Sequence, residues 1–117
     1  MRVHKVITNI PVSDIASARG FYADFLGLSD EEFNLGWVAR FSSPDHAASV
    51  QLVTGDETAE TDSAISVMTD DVDAAYAEAQ AAGYEIVHPL TSEEWGPRRF
   101  FVRAPDGTVV NVVGHPH

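Results

Sequence analysis

The residues able to do chemistry in this chain are few. There is no cysteine, which removes disulfides, thiolate metal ligands and thiol nucleophiles together. The five histidines are scattered. His46 follows Pro44-Asp45 in a turn, His88 precedes Pro89 at an expected strand end, and His115-Pro116-His117 closes the chain, where fraying is expected rather than a metal site. Glu93-Glu94 is an acid pair, but adjacent carboxylates in a loop point apart and are expected in solvent; a general base needs burial or a tuned neighbour. Ser42, Ser49 and Ser66 lack a nucleophile-elbow context, and the glycines form no phosphate-cradling loop. Trp95 stands in a loop of Ser, Glu, Gly and Pro with no local apolar partner. It suits stacking over a planar or cationic ligand, or packing at a dimer interface or over the open end of a sheet. Trp37 reads as strand packing.

Charge narrows the partners. The net charge is −11, from 18 acids against 7 bases. Phosphate-backbone binding needs clustered Lys and Arg, and the chain has one lysine, so nucleic acid is not an expected partner. No apolar run reaches the length of a signal peptide or a membrane span, so a cytoplasmic location and no membrane partner are the default expectations.

The elements that must position these residues occur twice. Asp14 opens an apolar-periodic stretch ending at Gly27, and Asp70 opens one ending at Gly83 at the same spacing. Phe41-Ser42-Ser43-Pro44-Asp45 leads into Val50-Gln51-Leu52-Val53, as Val102-Arg103-Ala104-Pro105-Asp106 leads into Val110-Asn111-Val112-Val113. Strands are expected over 3–10, 28–33, 36–42 and 48–54, then over 63–69, 84–88, 98–103 and 108–114. A helix follows the first strand of each half. Ile15, Ala18, Phe21, Tyr22, Phe25 and Leu26 recur at helical spacing, and Phe21, Tyr22 and Phe25 are expected in the core. The chain is therefore one α+β domain over 1–117: module one 1–55, a polar linker 56–62 and module two 63–117. Two pseudo-symmetric βαβββ modules would form a curved mixed sheet with helices on the outside, and a site at their seam.

The chain resembles the vicinal-oxygen-chelate superfamily of glyoxalases, bleomycin-resistance proteins and extradiol dioxygenases. The resemblance rests on Ile10-Pro11-Val12-Ser13-Asp14 through Phe21-Tyr22, on Phe25-Leu26-Gly27-Leu28, on Trp95-Gly96-Pro97-Arg98-Arg99-Phe100-Phe101-Val102, and on Pro105-Asp106-Gly107-Thr108-Val109-Val110-Asn111. Enzymes of that superfamily usually hold a divalent metal on the first and last strand of each half. The resemblance puts those positions at Ile7, Gln51, Ala64 and Asn111. Ile and Ala cannot coordinate a metal, and two neutral amides do not make a catalytic site, so no metal and no other cofactor is expected. His4 lies an odd number of residues from Ile7 and so belongs to the opposite strand face.

With those positions facing inward, alternation turns Lys5, Ile7, Asn9, Ser49, Gln51, Val53, Ala64, Ser66, Met68, Val109, Asn111 and Val113 the same way. Val50, Leu52, Ile65, Val67, Val110 and Val112, of opposite parity, are all apolar, as a helix-covered face should be. Arg99, Phe101 and Arg103 are expected inward and Phe100 and Val102 outward; the repeat matches Arg40 and Val38 to Phe101 and Arg99. Candidate ligand-binding residues are Asn9, Arg40, Gln51, Trp95, Arg99, Phe101 and Asn111. The resemblance implies a metal-independent protein that sequesters a drug or metabolite in a cleft, as bleomycin-resistance proteins do, and a homodimer. The alternatives are a metal-dependent lyase, isomerase or dioxygenase of the glyoxalase type, and a metal-free catalyst using Arg or Glu. Inward arginines favour an anionic ligand and the global charge a cationic one.

Overall fold

A computed structural model describes residues 1–114, and the expectation for His115 and His117 lies outside them. The elements are β1 (Val3–Pro11), α1 (Ile15–Arg19), β2 (Asp30–Asn34), β3 (Val38–Ser42), β4 (Ser49–Val53), β5 (Ile65–Thr69), α2 (Val72–Ala81), β6 (Glu85–Ser92), β7 (Arg98–Arg103) and β8 (Val109–Gly114), with a π-helical turn Gly20–Phe25 after α1. The fold is α+β, and each half runs βαβββ. Residues 7–57 form one compact unit, and residues 1–6 with the chain from 58 onward form another.

In the unit of residues 7–57 the strand order is β2-β3-β4-β1. β1 runs parallel to β4 with Asn9 opposite Gln51, and β3 runs antiparallel to β4 with Arg40 opposite Gln51. Strand parity then sorts the residues. Ala39, Phe41 and Leu52 pack with Ile15 and Leu28 against the helix, flanked by Ile10, Val12 and Val50. Asn9, Arg40 and Gln51 lie side by side on the face away from it.

The first helix departs from the expected stripe. Asp14 caps it by accepting from the Ser17 amide, and after five residues the chain widens into the π turn, where the Leu26 amide bonds the Phe21 carbonyl. A π turn takes roughly one more residue than an α turn and so rotates everything beyond it. Tyr22 and Ala23 reach the core, whereas Phe21 and Phe25 are 54% and 76% exposed and Leu26 is 48% exposed. The expectation that Phe21 and Phe25 are core is thus corrected. Helical spacing in the sequence holds only while the helix stays α.

In the other unit the order is β5-β8-β7-β6. β5 runs parallel to β8 with Ser66 opposite Asn111, and Asn111 faces Phe101 on β7, which faces His88 on β6. Val67, Phe100 and Val112 pack against Val72, Ala75 and Ala79 of α2, with Tyr76 edge-on to Phe100 at 5.0 Å. The α2 cap is Asp71, one residue beyond the Asp70 that the repeat marks; it accepts from the Ala74 amide. Both helical segments close at a left-handed glycine, Gly27 at φ 77° and Gly83 at φ 79°. β6 runs on through Pro89 to Ser92, past the expected end at His88, with register shifts on both sides of His88. An edge strand tolerates the missing proline donor, so His88 sits within the strand rather than at its end.

Candidate functional site

On module one the polar face is an ordered relay. Arg40 donates from Nε (3.0 Å) and Nη2 (2.9 Å) to Gln51 Oε1. Gln51 Nε2 in turn donates to Asn9 Oδ1 at 2.7 Å. The amide orientation of Gln51 is therefore fixed, with its oxygen toward the cation and its nitrogen toward the neighbouring carbonyl. The guanidinium lies 5.0 Å from the centre of the Phe33 ring. Glu32 Oε1 is 3.8 Å from Arg40 Nη1, while Glu32 Oε2 accepts from Ser42 Oγ, which also meets Ser49 Oγ at 2.7 Å. Burial lowers the Arg40 pKa, and Glu32 restores only part of the shift. Ile7, on the same face of β1, is fully buried.

Module two builds a different cluster. Arg99 donates from Nε (3.2 Å) and Nη2 (3.0 Å) to Glu93 Oε2, and both side chains are only 3% exposed. Thr58 Oγ1 donates to Glu93 Oε2 and accepts from Arg99 Nη2 at 2.8 Å and Trp95 Nε1 at 3.0 Å. The Arg99 guanidinium lies 5.0 Å from the Trp95 ring and 4.8 Å from the Phe101 ring. His88 Nε2 stands 3.4 Å from Glu93 Oε1, and its ring 5.2 Å from that of Phe101. Burial pushes the Glu93 carboxyl up, but Thr58, the Arg99 charge and the bonds from His88 and Arg99 outweigh it and hold it below its ordinary value. Asn111 Nδ2 donates to Ser66 Oγ at 3.0 Å, whereas Asn111 Oδ1 is buried with no hydrogen-bond partner among the described residues.

The structure brings Asn9, Arg40 and Gln51 into one network and Trp95, Arg99 and Phe101 into another, with Asn111 beside Phe101 across the strand pair. Two sequence expectations change. Glu93 is buried and ion-paired, while Glu94 is exposed as expected. The cation stacked with Trp95 is the protein's own Arg99. Sequence reasoning did not find Glu32, Thr58 or His88 as site residues. Thr58 lies in a polar run where no residue type stands out, and nothing local signals its contacts 35 and 41 positions away.

With this geometry in hand, the decisive comparison is a family model that matches residues 3–112 and describes the glyoxalase/bleomycin resistance protein/dioxygenase superfamily. The chain belongs to that superfamily. Solved structures of the same fold include one described as NAD-dependent benzaldehyde dehydrogenase from Legionella pneumophila, 16% identical over 95% of this chain and 99% of that one, with a TM-score of 0.75. Methylmalonyl-CoA epimerase from Mycobacterium tuberculosis is 23% identical over 98% and 90%, TM-score 0.73. A superfamily member from Vibrio splendidus 12B01 is 20% identical over 94% and 97%, TM-score 0.66. At these identities the likeness carries the fold alone. No curated protein matches the chain.

The four positions where the resemblance places the superfamily's metal ligands do not fit a divalent ion. Ile7 and Ala64 have no donor atom, and Gln51 Oε1 already accepts two N–H groups from a guanidinium. An ion at Gln51 would meet a fixed positive charge within one hydrogen-bond length. Asn111 Oδ1 is left as a lone amide donor, too weak by itself for Zn, Fe or Mn. Among the described residues no group of three or more His, Asp or Glu is arranged to hold a metal.

Proposed function

We propose that this chain is a metal-independent small-molecule binding protein of the bleomycin-resistance kind, which sequesters a drug or metabolite on the polar faces of its modules. The observation that carries the reading is the Arg40–Gln51 contact, which puts an arginine's charge against one of the superfamily's metal-ligand positions. A ligand face needs apolar walls and a few fixed polar groups. Phe33 beside the oriented Arg40, and Phe101 beside Asn111, supply them. Glu93 is poorly suited to be a base, because its ion pair keeps the carboxylate weakly basic.

A thermal-shift screen of metabolites and antibiotics tests this, run on chelator-treated protein with and without Zn²⁺, Mn²⁺ and Ni²⁺. At least one compound is expected to stabilise the metal-free protein, by about 2.7 kcal/mol at a hundredfold excess over Kd, and to be recovered unchanged. Stabilisation that appears only with metal, or turnover of the compound, overturns the reading. The same reading includes a homodimer. Its support is the exposed Phe21–Phe25 pair, with ring centres 5.3 Å apart, and the edge strands β2 and β6, since bare edges and apolar patches are normally covered. Light scattering at micromolar concentration should give twice the 12.7 kDa of one chain; a monomer mass refutes it.

A further inference from the structure

The hydrogen bonding of Arg40 bears directly on whether a bound molecule is an anion or a cation. A guanidinium has five N–H donors in a planar fork. In Arg40, Nε and Nη2 each give one to Gln51 Oε1. Nη1 has no hydrogen-bond acceptor among the described residues, since Glu32 Oε1 at 3.8 Å is beyond bonding range. Three N–H groups are thus unspent, and they include the outer Nη1–Nη2 edge, whose two parallel donors match the spacing of a carboxylate. The fork is held in place on its other edge by Gln51, which Asn9 orients, and by the Phe33 ring. The Arg40 side chain is 18% exposed, so the group is partly desolvated yet reachable. Glu32 compensates the charge only in part: its Oε1 stands at ion-pair distance from Nη1 without a hydrogen bond, while its other oxygen accepts from Ser42.

We propose that Arg40 is a carboxylate-recognition group, taking a carboxylate-bearing small molecule end-on through Nη1 and Nη2 while Gln51 holds the opposite edge. This rests on the metal-independent reading and names the ligand class for it. The partial desolvation that lowers the Arg40 pKa points the same way, since an added anion would compensate a charge that Glu32 compensates only in part. Gln51 acts here as a positioning residue.

The test is an NMR titration of the metal-free full chain, following the Arg40 Nε–H and the amides of residues 7–57. The probes are benzoate, its neutral isostere benzamide, and inorganic phosphate. Benzoate is expected to shift the Arg40 Nε–H saturably, benzamide not at all, and phosphate more weakly than benzoate. Arg40→Lys keeps the charge without the fork and should weaken benzoate at least about fivefold. Gln51→Glu supplies an internal carboxylate and should weaken it about tenfold or more, whereas Glu32→Gln removes a nearby negative charge and should tighten it roughly threefold. Metal-free benzoate binding that ignores all three substitutions overturns the inference and leaves the binding reading standing. Phosphate preferred over benzoate, or no benzoate effect within residues 7–57, also overturns the inference. Benzoate binding that requires added Zn²⁺ overturns both.

Discussion

Replacing Glu93 by Gln separates two roles that a buried carboxylate can have. Glu93 and Arg99 are each 3% exposed at the side chain, with Oε2 3.0 Å from Nη2 and 3.2 Å from Nε. At such separations the attraction is about 5 kcal/mol at an effective dielectric constant near 20, set against the desolvation of both ions. Removing one partner leaves the other charge buried and uncompensated, which costs about 3–5 kcal/mol. Glu93→Gln preserves shape and some hydrogen bonding, so about 3 kcal/mol is expected in urea unfolding at pH 7. The pH dependence follows from the sign of the shift. The folded carboxyl sits below its ordinary value of 4.5, so between the two the unfolded chain binds more protons. The stabilisation is complete above 4.5 and is lost as pH falls through the folded value. The gap between wild type and Glu93→Gln should therefore be constant near neutrality and narrow in acid. Replacing both partners, as Glu93→Leu with Arg99→Met, should cost less than Glu93→Gln alone. The reasoning is refuted if Glu93→Gln is as stable as wild type or more so. That result would mark a carboxyl whose pKa is raised, as a general base requires.

Asn111→Leu removes a buried acceptor with no partner among the described residues but also the Asn111 Nδ2–Ser66 Oγ bond, so the two effects oppose and stability in urea unfolding should change by no more than about 1 kcal/mol. Phe25→Ser, at a side chain 76% exposed, should leave stability within about 0.5 kcal/mol of wild type while lowering self-association in a concentration series by light scattering. Gly114→Ala would place a Cβ 2.8 Å from Val72 Cγ1, where the strand end meets the start of α2, and should cost about 1–3 kcal/mol by thermal unfolding.

The fold was legible because the repeated signals are local. Asp14 and Gly27 bracket the first helical segment, and alternation assigns Val50 and Leu52 to one face and Gln51 to the other, as the registers show. The repeat matches Arg40 to Phe101, and the structure sets each opposite an amide side chain, Arg40 opposite Gln51 and Phe101 opposite Asn111. What was not legible depends on contacts at a distance. No periodicity announces a π turn, so Phe21 and Phe25 were assigned to a core they do not reach. Glu93 reads as solvent-facing until Arg99 and Thr58 are seen around it, and Thr58 lies in a stretch that composition marks only as polar. Burial of a polar residue is decided by its partners, and partner identity is tertiary information.

The two modules present arginines on corresponding faces and use them in opposite ways. Arg99 is enclosed by a carboxylate, a hydroxyl and two aromatic rings, so a ligand would have to break an ion pair to use its charge. Arg40 donates to a neutral amide from its Nε–Nη2 edge, and the Glu32 carboxylate stands 3.8 Å from its Nη1 without a hydrogen bond. A buried charge that is fully paired stabilises a fold or fixes its geometry; one that is anchored but only partly compensated retains interaction energy for an incoming anion. The same distinction separates Trp95, whose ring and Nε1 are engaged with Arg99 and Thr58, from Asn111, whose carbonyl lacks a donor among the described residues. Within residues 7–57, Arg40 is the group that keeps donors for an incoming anion, and this is what the Arg40→Lys substitution probes.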